Sequence, residues 1–406
     1  MPTNGPLLLL AAGSIGFFLG YFFSQKHKRE KKRCGVNKNS VYVGIDVGGT
    51  TISVAVVNYV GKKLGSASSN ITGSNNYVVT QSSEDQRSFK NVVKLISALV
   101  IKAIKTANLS TSKRIQINDV AGFGIGAPGL LNTTNGIIKA IANFDWKNAH
   151  ITEEVAQQLG VDPKKIYLEN DANAALLAEL WVGAGKGRKD VVMLTLGTGV
   201  GCAIMSGGQV LYGESGDAGE VGHTIIVPNG REHGTTGVRG IFEGYASATA
   251  VVSRAKERLQ AEPHVLSPLR EIGEKLSCAD IFFYSRLCKQ ITPKSKLKLG
   301  SFHSGGVENT NVVCNIAKSI VMETAEFIGI GCINVCRCYD PAVVILSGGM
   351  TLAGPQLLEA IRNSFCSHHW NITPPNKNRI TFATCGDDAG MIGAAGAAFL
   401  KQNNSF

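Results

Sequence analysis

"VGIDVGGTTISVAVV" at residues 43–57 and "LENDANAALLAE" at 168–179 decide the fold of this chain. In the first, Val43 and Ile45 lead to Asp46, Gly48 and Gly49 make a turn, and Ile52, Val54 and Val56 alternate with smaller residues. The pattern reads as a strand, a glycine turn and a second strand. Glycines let the backbone come close to a phosphate, and a carboxylate at Asp46 suits magnesium, directly or through water. The second stretch carries Asp171 from the end of an apolar strand onto the start of a helix. An aspartate in that place is ordinarily a helix cap. Paired with a phosphate-type hairpin, it reads instead as a catalytic carboxylate.

The opening theme returns at "VVMLTLGTGVGCAIM", residues 191–205. Two such hairpins predict two similar domains, each presenting one glycine turn to a ligand held between them. Gly48, Gly49 and Thr50 would offer backbone N–H groups and a hydroxyl from one side, and Gly197, Thr198 and Gly199 from the other. In "LSGGM" at 346–350, Gly348 and Gly349 leave room for the flat end of a nucleoside, and Ser347 reads equally as a turn residue or a ligand contact. Between these motifs helices and strands alternate. A helix is expected over 85–109, with a strand running into a turn at 122–129 and a helix ended by Gly160. Further helices are expected at 172–183, from Phe242 to Leu259, near Cys278–Cys288, over 311–335 and at the C-terminal end. The expected fold class is α/β, with a first domain over 41–165 and a larger second one over 166–400.

Two apparent nucleotide motifs fail on context. "GAGKGRK" at 183–189 has a lysine but neither the spacing nor the hydroxyl of a P-loop. "GIGAPG" at 124–129 matches a dinucleotide fingerprint, but Pro128 leads into a turn where a helix N-terminus would have to meet the pyrophosphate.

The net charge of +11 suggests nucleic acid until it is located, since more than half of it lies in residues 26–38. The remainder is spread over the body with no basic, aromatic-interleaved stripe, which argues against nucleic-acid binding. The basic run flanks "PLLLLAAGSIGFFLGYFF", residues 6–23, which carries no charge. As a helix this stretch spans about 27 Å, close to the hydrocarbon core of a bilayer at about 30 Å. A signal peptide normally has its positive charge before the apolar stretch, and here the charge comes after it. The expectation is a transmembrane anchor at 6–23 and a basic flank and linker at 24–40. The catalytic body would then face the cytosol, with the mitochondrial outer membrane favoured over the endoplasmic reticulum or plasma membrane. Ten cysteines are scattered apart from Cys332, Cys336 and Cys338, which lack paired metal spacing. Cys332 and Cys336 should face a helix-packing interior, and reduced thiols suit a cytosolic body.

Over residues 42–400 the chain resembles the sugar-kinase family that includes bacterial glucokinases, N-acetylmannosamine kinases and open-reading-frame repressors (the ROK family). The elements that carry the likeness are "GIDVGGT", "GAPG", "NFDW", "ENDANAA", "GTGVG", "GDAGEVGH" and "GIFE", in that order. The resemblance implies two actin-like domains around a nucleotide and sugar cleft. It places the family's sugar-contacting asparagine and catalytic aspartate on Asn170 and Asp171. Its Glu-x-x-His pair falls on Glu220 and His223, a later sugar-binding glutamate on Glu243, and a further sugar-facing position on Asn143. Carboxylates and carboxamides suit a ring of hydroxyls, which they can bracket bidentately. One segment departs from the family. Where the family has three zinc-binding cysteines, this chain has Gly234, Thr236 and Ile241, so zinc is not expected and Ile241 should be buried beside Phe242. The region 264–310 looks enlarged and is a candidate for covering the cleft or for a homodimer contact.

The expected reaction is phosphoryl transfer from ATP, with Mg2+ near Asp46, to the 6-hydroxyl of glucose. An N-acylhexosamine kinase is the nearest rival, and a non-catalytic membrane-bound sugar sensor or scaffold is another. A repressor is disfavoured because an apolar span, and not a two-helix DNA reader, precedes the body.

Overall fold

In the computed structural model, residues 37–71, 87–112, 114–141, 144–216, 218–285, 314–368 and 376–403 are described. The anchor expected at 6–23, most of its basic flank, Asn143 and the stretch 286–313 lie outside them. The first glycine turn joins β1 (Val41–Val47) to β2 (Thr51–Asn58), and β3 (Lys63–Asn70) extends this antiparallel meander. Helix α1 (Phe89–Ser110) follows, then β4 (Val120–Ala127), which pairs parallel with β1. A small antiparallel sheet of β5 (Leu130–Asn132), β6 (Ile137–Ile141) and β7 (Phe144–Ala149) comes next. Helix α2 (Ile151–Leu159) is ended by Gly160 in the left-handed region at φ 66°, as its sequence predicts. Strand β8 (Ile166–Asn170) then joins β4 in parallel and runs directly into α3 (Asp171–Trp181).

The first sheet has the order β3-β2-β1-β4-β8. The second repeats that order with β9 (Val191–Leu196), β10 (Val200–Ser206), β11 (Gln209–Val210), β12 (Val343–Ser347) and β13 (Ile380–Phe382), arranged as β11-β10-β9-β12-β13. In both, an antiparallel meander is flanked by two parallel strands, so the repeat seen in the glycine hairpins extends to a whole lobe. Around the second sheet lie α4 (Ala248–Ala261), α5 (Cys278–Ser285), α6 (Asn315–Tyr339), α7 (Pro355–Ser367) and the closing α8 (Ala389–Asn403).

Alternation within each strand sorts its side chains to two faces. In the first lobe Val43, Ile45, Ile52 and Val54 bury against Val92, Ile96, Leu99 and Val100 of α1. Each such aliphatic side chain stabilises the fold by about 1.5–3 kcal/mol relative to exposure. The opposite face meets α8, where Tyr42, Trp181 and Phe399 pack as an aromatic trio. In the second lobe Val192, Leu194 and Leu346 share a core with Phe242, Ile320, Ile328 and Phe365, and Cys332 and Cys336 are buried there as expected. Val191, Met193 and Ile345 on the other face bury Leu176, Leu177 and Leu180 of α3. Helices α3 and α8 therefore form the layer shared by both sheets. Their contact runs backbone to backbone, a Cβ on Gly393 lying 1.6 Å from the Ala174 carbonyl oxygen, and β1 meets α8 as closely, a Cβ on Gly44 lying 1.7 Å from the Met391 carbonyl oxygen.

Two expectations change. The division at 165/166 falls inside a continuous structural unit, because β8 completes the first sheet and α8 returns from the far end of the chain to cover it. Hydrogen bonding of Ile166–Asn170 to β4 overrides the pattern that grouped this strand with the second domain. The helix expected from Phe242 to Leu259 is broken at Ser247, whose extended backbone and side-chain oxygen cap α4 by accepting from Ala250 N–H, leaving Glu243–Ala246 as a separate turn. Helix α6 is long and apolar enough to cross a membrane, but 61% of its most apolar window is buried, and it is a core helix.

Candidate active site

The two glycine turns sit at equivalent places in the two lobes. In the first, Gly48 N–H bonds the Thr51 carbonyl at 2.9 Å and Thr50 O accepts from Ile71 N–H at 2.8 Å. In the second, all three carbonyls are engaged. Gly197 O accepts from Ala248 N–H at 2.8 Å, Gly199 O from Gly197 N–H at 3.0 Å, and Thr198 O from the Thr249 hydroxyl at 2.8 Å. A phosphate meets fewer repelling oxygens on a turn held in this way. Gly348 follows β12 with φ 91°, and its Cα packs on the end of β9, where a Cβ would stand 2.5 Å from the Leu196 carbonyl oxygen. Ser347 is the last residue of β12, opposite Thr195, and Gly349 begins a short 3-10 turn. Hairpin 197–199 and the segment 347–349 are thus brought side by side.

Asn170 and Asp171 divide the work at the start of α3. Asn170 is the cap: its Oδ1 accepts from Ala172 N–H at 3.0 Å and Asn173 N–H at 3.3 Å. Asp171 is the first helical residue; it is exposed, and its carboxylate accepts from Ala172 N–H at 2.9 Å and is also met by the Asn170 side chain. Surrounding protein nevertheless raises its pKa above the ordinary aspartate range. Asp46, near the end of β1, lies against Gly390 at the start of α8. Burial first, and the charge of Asp171 second, push its carboxyl up from 3.8 to about 6. Two carboxylates that resist joint ionisation are the donor set a magnesium ion favours, so Asp46, with Asp171 beside it, fits that ion.

Behind this pair lies a group the motifs did not reveal. Glu169 is 2% exposed; its Oε1 accepts from Asn170 N–H at 2.9 Å and from the Asn173 amide at 3.0 Å. Its Oε2 accepts from the Tyr212 hydroxyl at 2.5 Å, so a second-lobe side chain holds the residue next to Asn170. Burial raises the Glu169 pKa. An acid inside the buried strand "IYLEN" was the available signal, whereas nothing in the sequence marks Tyr212. Glu179, fully buried within "ALLAELW", was legible in the same way. It accepts from Ala184, Thr384 and Cys385 N–H at 2.7–2.8 Å and ties the end of α3 to the segment entering α8.

The residues expected at the sugar form a second group. Glu220 precedes a 3-10 turn, Val221–His223, that places Glu220 Oε2 3.8 Å from His223 Nε2. The His223 ring meets His233 edge-on at 6.3 Å between centroids. His233 Nε2 lies 3.0 Å from Glu243 Oε1, and Glu243 Oε2 accepts from Val200 N–H at 2.7 Å, at the end of the second glycine turn. Glu220, His223 and Glu243 are therefore connected to hairpin 197–199, and Asp46 is connected to Asp171. Ile241 and Phe242 are both fully buried, as expected from the altered cysteine segment. Among the described residues no group of three or more His, Cys, Asp or Glu is gathered to hold a metal. A cavity of about 1200 Å³ lies beside Phe89, Trp146 and His150, and its described lining includes none of the expected site residues.

Paired α/β lobes, two glycine turns and a carboxylate on the shared helix suit phosphoryl transfer, and similarity to known proteins makes the chain an ATP-dependent sugar kinase. The chain belongs to the ROK family, whose model matches residues 42–402. It is 30% identical to a glucokinase of Thermotoga maritima over 87% of this chain and 95% of that one. A glucokinase of Halalkalibacterium halodurans is 27% identical over 90% and 96%. Among solved structures, a ROK glucokinase from Streptomyces griseus in complex with glucose and AMPPNP superposes with a TM-score of 0.60 at 28% identity, covering 88% of this chain and 98% of its own.

Proposed function

We propose that this chain transfers the γ-phosphoryl group of ATP to the 6-hydroxyl of glucose. The observation that carries the reading is the place of Asp171, on the helix common to both lobes and within electrostatic reach of Asp46. Asp171 directs the attacking hydroxyl and accepts its proton late in the transfer, because even a raised carboxyl remains far more acidic than an alcohol. Asn170 has its oxygen committed to the cap, so its amide N–H groups are the part that meets a sugar hydroxyl. Glu220, His223 and Glu243, with Asn143 outside the described residues, bracket the remaining hydroxyls. The turns at 48–50 and 197–199 offer N–H groups to the phosphates, and Ser347, Gly348 and Gly349 line the nucleoside end. Mg2+ held at Asp46 would neutralise charge on the phosphates, and positioning supplies most of the rate.

The glucokinase relatives and the glucose complex support glucose over other hexoses. Coupled ADP release measured with glucose, mannose, N-acetylglucosamine and N-acetylmannosamine should give the highest kcat/KM for glucose. Preference for an N-acetyl sugar would move the assignment to an N-acylhexosamine kinase. Binding of ATP and sugar with no ADP formed would make the protein a sensor.

Residues 6–23 support membrane attachment by length, apolarity and the basic flank on their C-terminal side. With the body facing the cytosol, carbonate should fail to extract the protein, and protease added to intact organelles should digest the body. Extraction would refute the anchor, and protection would refute the orientation. Residues 1–38 fused to a fluorescent reporter test the mitochondrial outer membrane as the address.

A further inference from the structure

Glu243 has both oxygens occupied before any sugar arrives, one by His233 and one by the Val200 amide. The amide contact depends on Gly199, where a Cβ would lie 2.4 Å from Oε2. The histidine contact depends on a closed hairpin over residues 231–240. Glu232 and Arg239 form a β-bridge, His233 N–H bonds the Val238 carbonyl at 2.9 Å, and Gly237 N–H returns to the His233 carbonyl at 2.8 Å. Arg231 fastens the base of this hairpin by its ion pair with Glu257, and its N–H bonds the Tyr245 hydroxyl. Little of either side chain is open to water, 15% for His233 and 18% for Glu243.

The other ring nitrogen is also engaged. His233 Nδ1 lies 2.9 Å from the Thr236 hydroxyl, and that hydroxyl oxygen accepts from Val238 N–H at 3.4 Å. A carboxylate only accepts, so the ring proton sits on Nε2, facing Glu243, and Nδ1 then accepts from the Thr236 hydroxyl. The bonds then run in one direction: Val238 N–H to Thr236, Thr236 to His233, His233 to Glu243.

We propose that His233 is a positioning residue for the kinase reaction, holding Glu243 so that one carboxylate serves the sugar pocket and the phosphate-side hairpin together. Each carboxylate oxygen accepts more than one bond, so Glu243 keeps lone pairs for sugar hydroxyls while anchored at both ends. Sugar docking on Glu243 thereby bears on the Gly199–Val200 turn through a single side chain. Glu243 sets the tautomer, and Thr236 steadies the ring through Nδ1. The proposal rests on the reading of Glu243 as a sugar ligand, and its tests separate the two ideas.

In the full-length protein, His233→Ala should raise the KM for glucose about 10-fold, the scale of a lost hydrogen bond to a charged group, and leave the KM for ATP within about 2-fold. His233→Gln, which can still present an N–H to Glu243, should recover most of the loss. Thr236→Ala should give a smaller increase, about 3-fold, by removing the bond that steadies the ring at Nδ1. In Glu243→Gln the further addition of His233→Ala should have little effect, because the two act through one contact. If Glu243→Gln raises the glucose KM and His233→Ala does not, the positioning role is overturned and the sugar assignment stands. If Glu243→Gln leaves the KM unchanged, the sugar assignment fails. A second readout needs no turnover and is unaffected by a poorly folding variant: long-range 1H–15N spectra of histidine-labelled wild-type protein should show His233 with its proton on Nε2. A proton on Nδ1 would refute the relay.

Discussion

Asp46→Asn should make this protein more stable and less active. The folded carboxyl binds its proton near pH 6, against 3.8 for an ordinary aspartate. Between those values the folded state holds a proton that the unfolded chain has released, so stability falls as pH rises through the window and the whole cost is present above it. Converted at 1.36 kcal/mol per pKa unit, the gap is about 3 kcal/mol, an upper figure because Asp46 retains some contact with solvent. Asparagine carries no charge at any pH and is spared this cost. In the absence of magnesium and nucleotide, the variant should melt about 3–6 °C above wild type at pH 8. About half of the free-energy difference should already be present at pH 5. Magnesium with ATP should raise the wild-type melting temperature more than the variant's, and turnover of the variant should collapse. Calorimetry from pH 5 to pH 8 reads the stability changes, and coupled ADP release reads the turnover. A variant that melts at or below wild type at pH 8, or a difference that does not change with pH, would refute the reasoning.

Two further outcomes concern the start of α3. Asp171→Asn should lower turnover by about 10²–10⁴-fold while ATP and glucose still bind, and near-normal turnover would remove Asp171 from its assigned role. It should also lower the pKa of Asp46, since the charge of Asp171 is one of the two causes that raise it. Tyr212→Phe leaves the buried Glu169 one donor short and should cost about 1–3 kcal/mol, seen as a lower melting temperature, with a loss of kcat as Asn170 and Asp171 lose their backing. Unchanged stability and kcat in that variant would show that the cross-lobe bond bears no load.

Local signals made most of the fold legible. The glycine turns, the alternation in β1 and β9, the spacing in α1 and the stop at Gly160 each need only neighbouring residues, and all lie where the sequence puts them. The boundary at 166 was not legible, because strand membership is decided by pairing with β4 more than 40 residues earlier. The break at Ser247 turns on one side chain choosing to cap α4 over continuing the preceding turn. At the site, carboxylates in recognisable motifs could be named. Their partners could not, because Tyr212 for Glu169 and His233 for Glu243 are single residues in loops with no periodicity. The hydrogen bond of His233 to Glu243 appears only once the hairpin 231–240 closes.

The position of α3 explains why so much converges on one short segment. Its first residues continue a strand of the first sheet, while Leu176, Leu177 and Leu180 bury against the second. Any relative rotation of the lobes must therefore act on the junction where Asn170 and Asp171 sit. Glu169 and Glu179 fix that helix near its two ends, the first through Tyr212 of the second lobe and the second through Thr384 and Cys385 on the way into α8. A buried carboxylate is costly to fold around unless its hydrogen bonds are supplied, and both of these have part of theirs supplied by segments distant in sequence. Their energetic effect thus depends on how the lobes are set. A closure that kept both clasps would carry Asp171 as a rigid unit toward the second glycine turn, whereas one that broke the Tyr212 bond would leave a desolvated acid beside Asn170. The first keeps both buried carboxylates satisfied and is the less costly of the two.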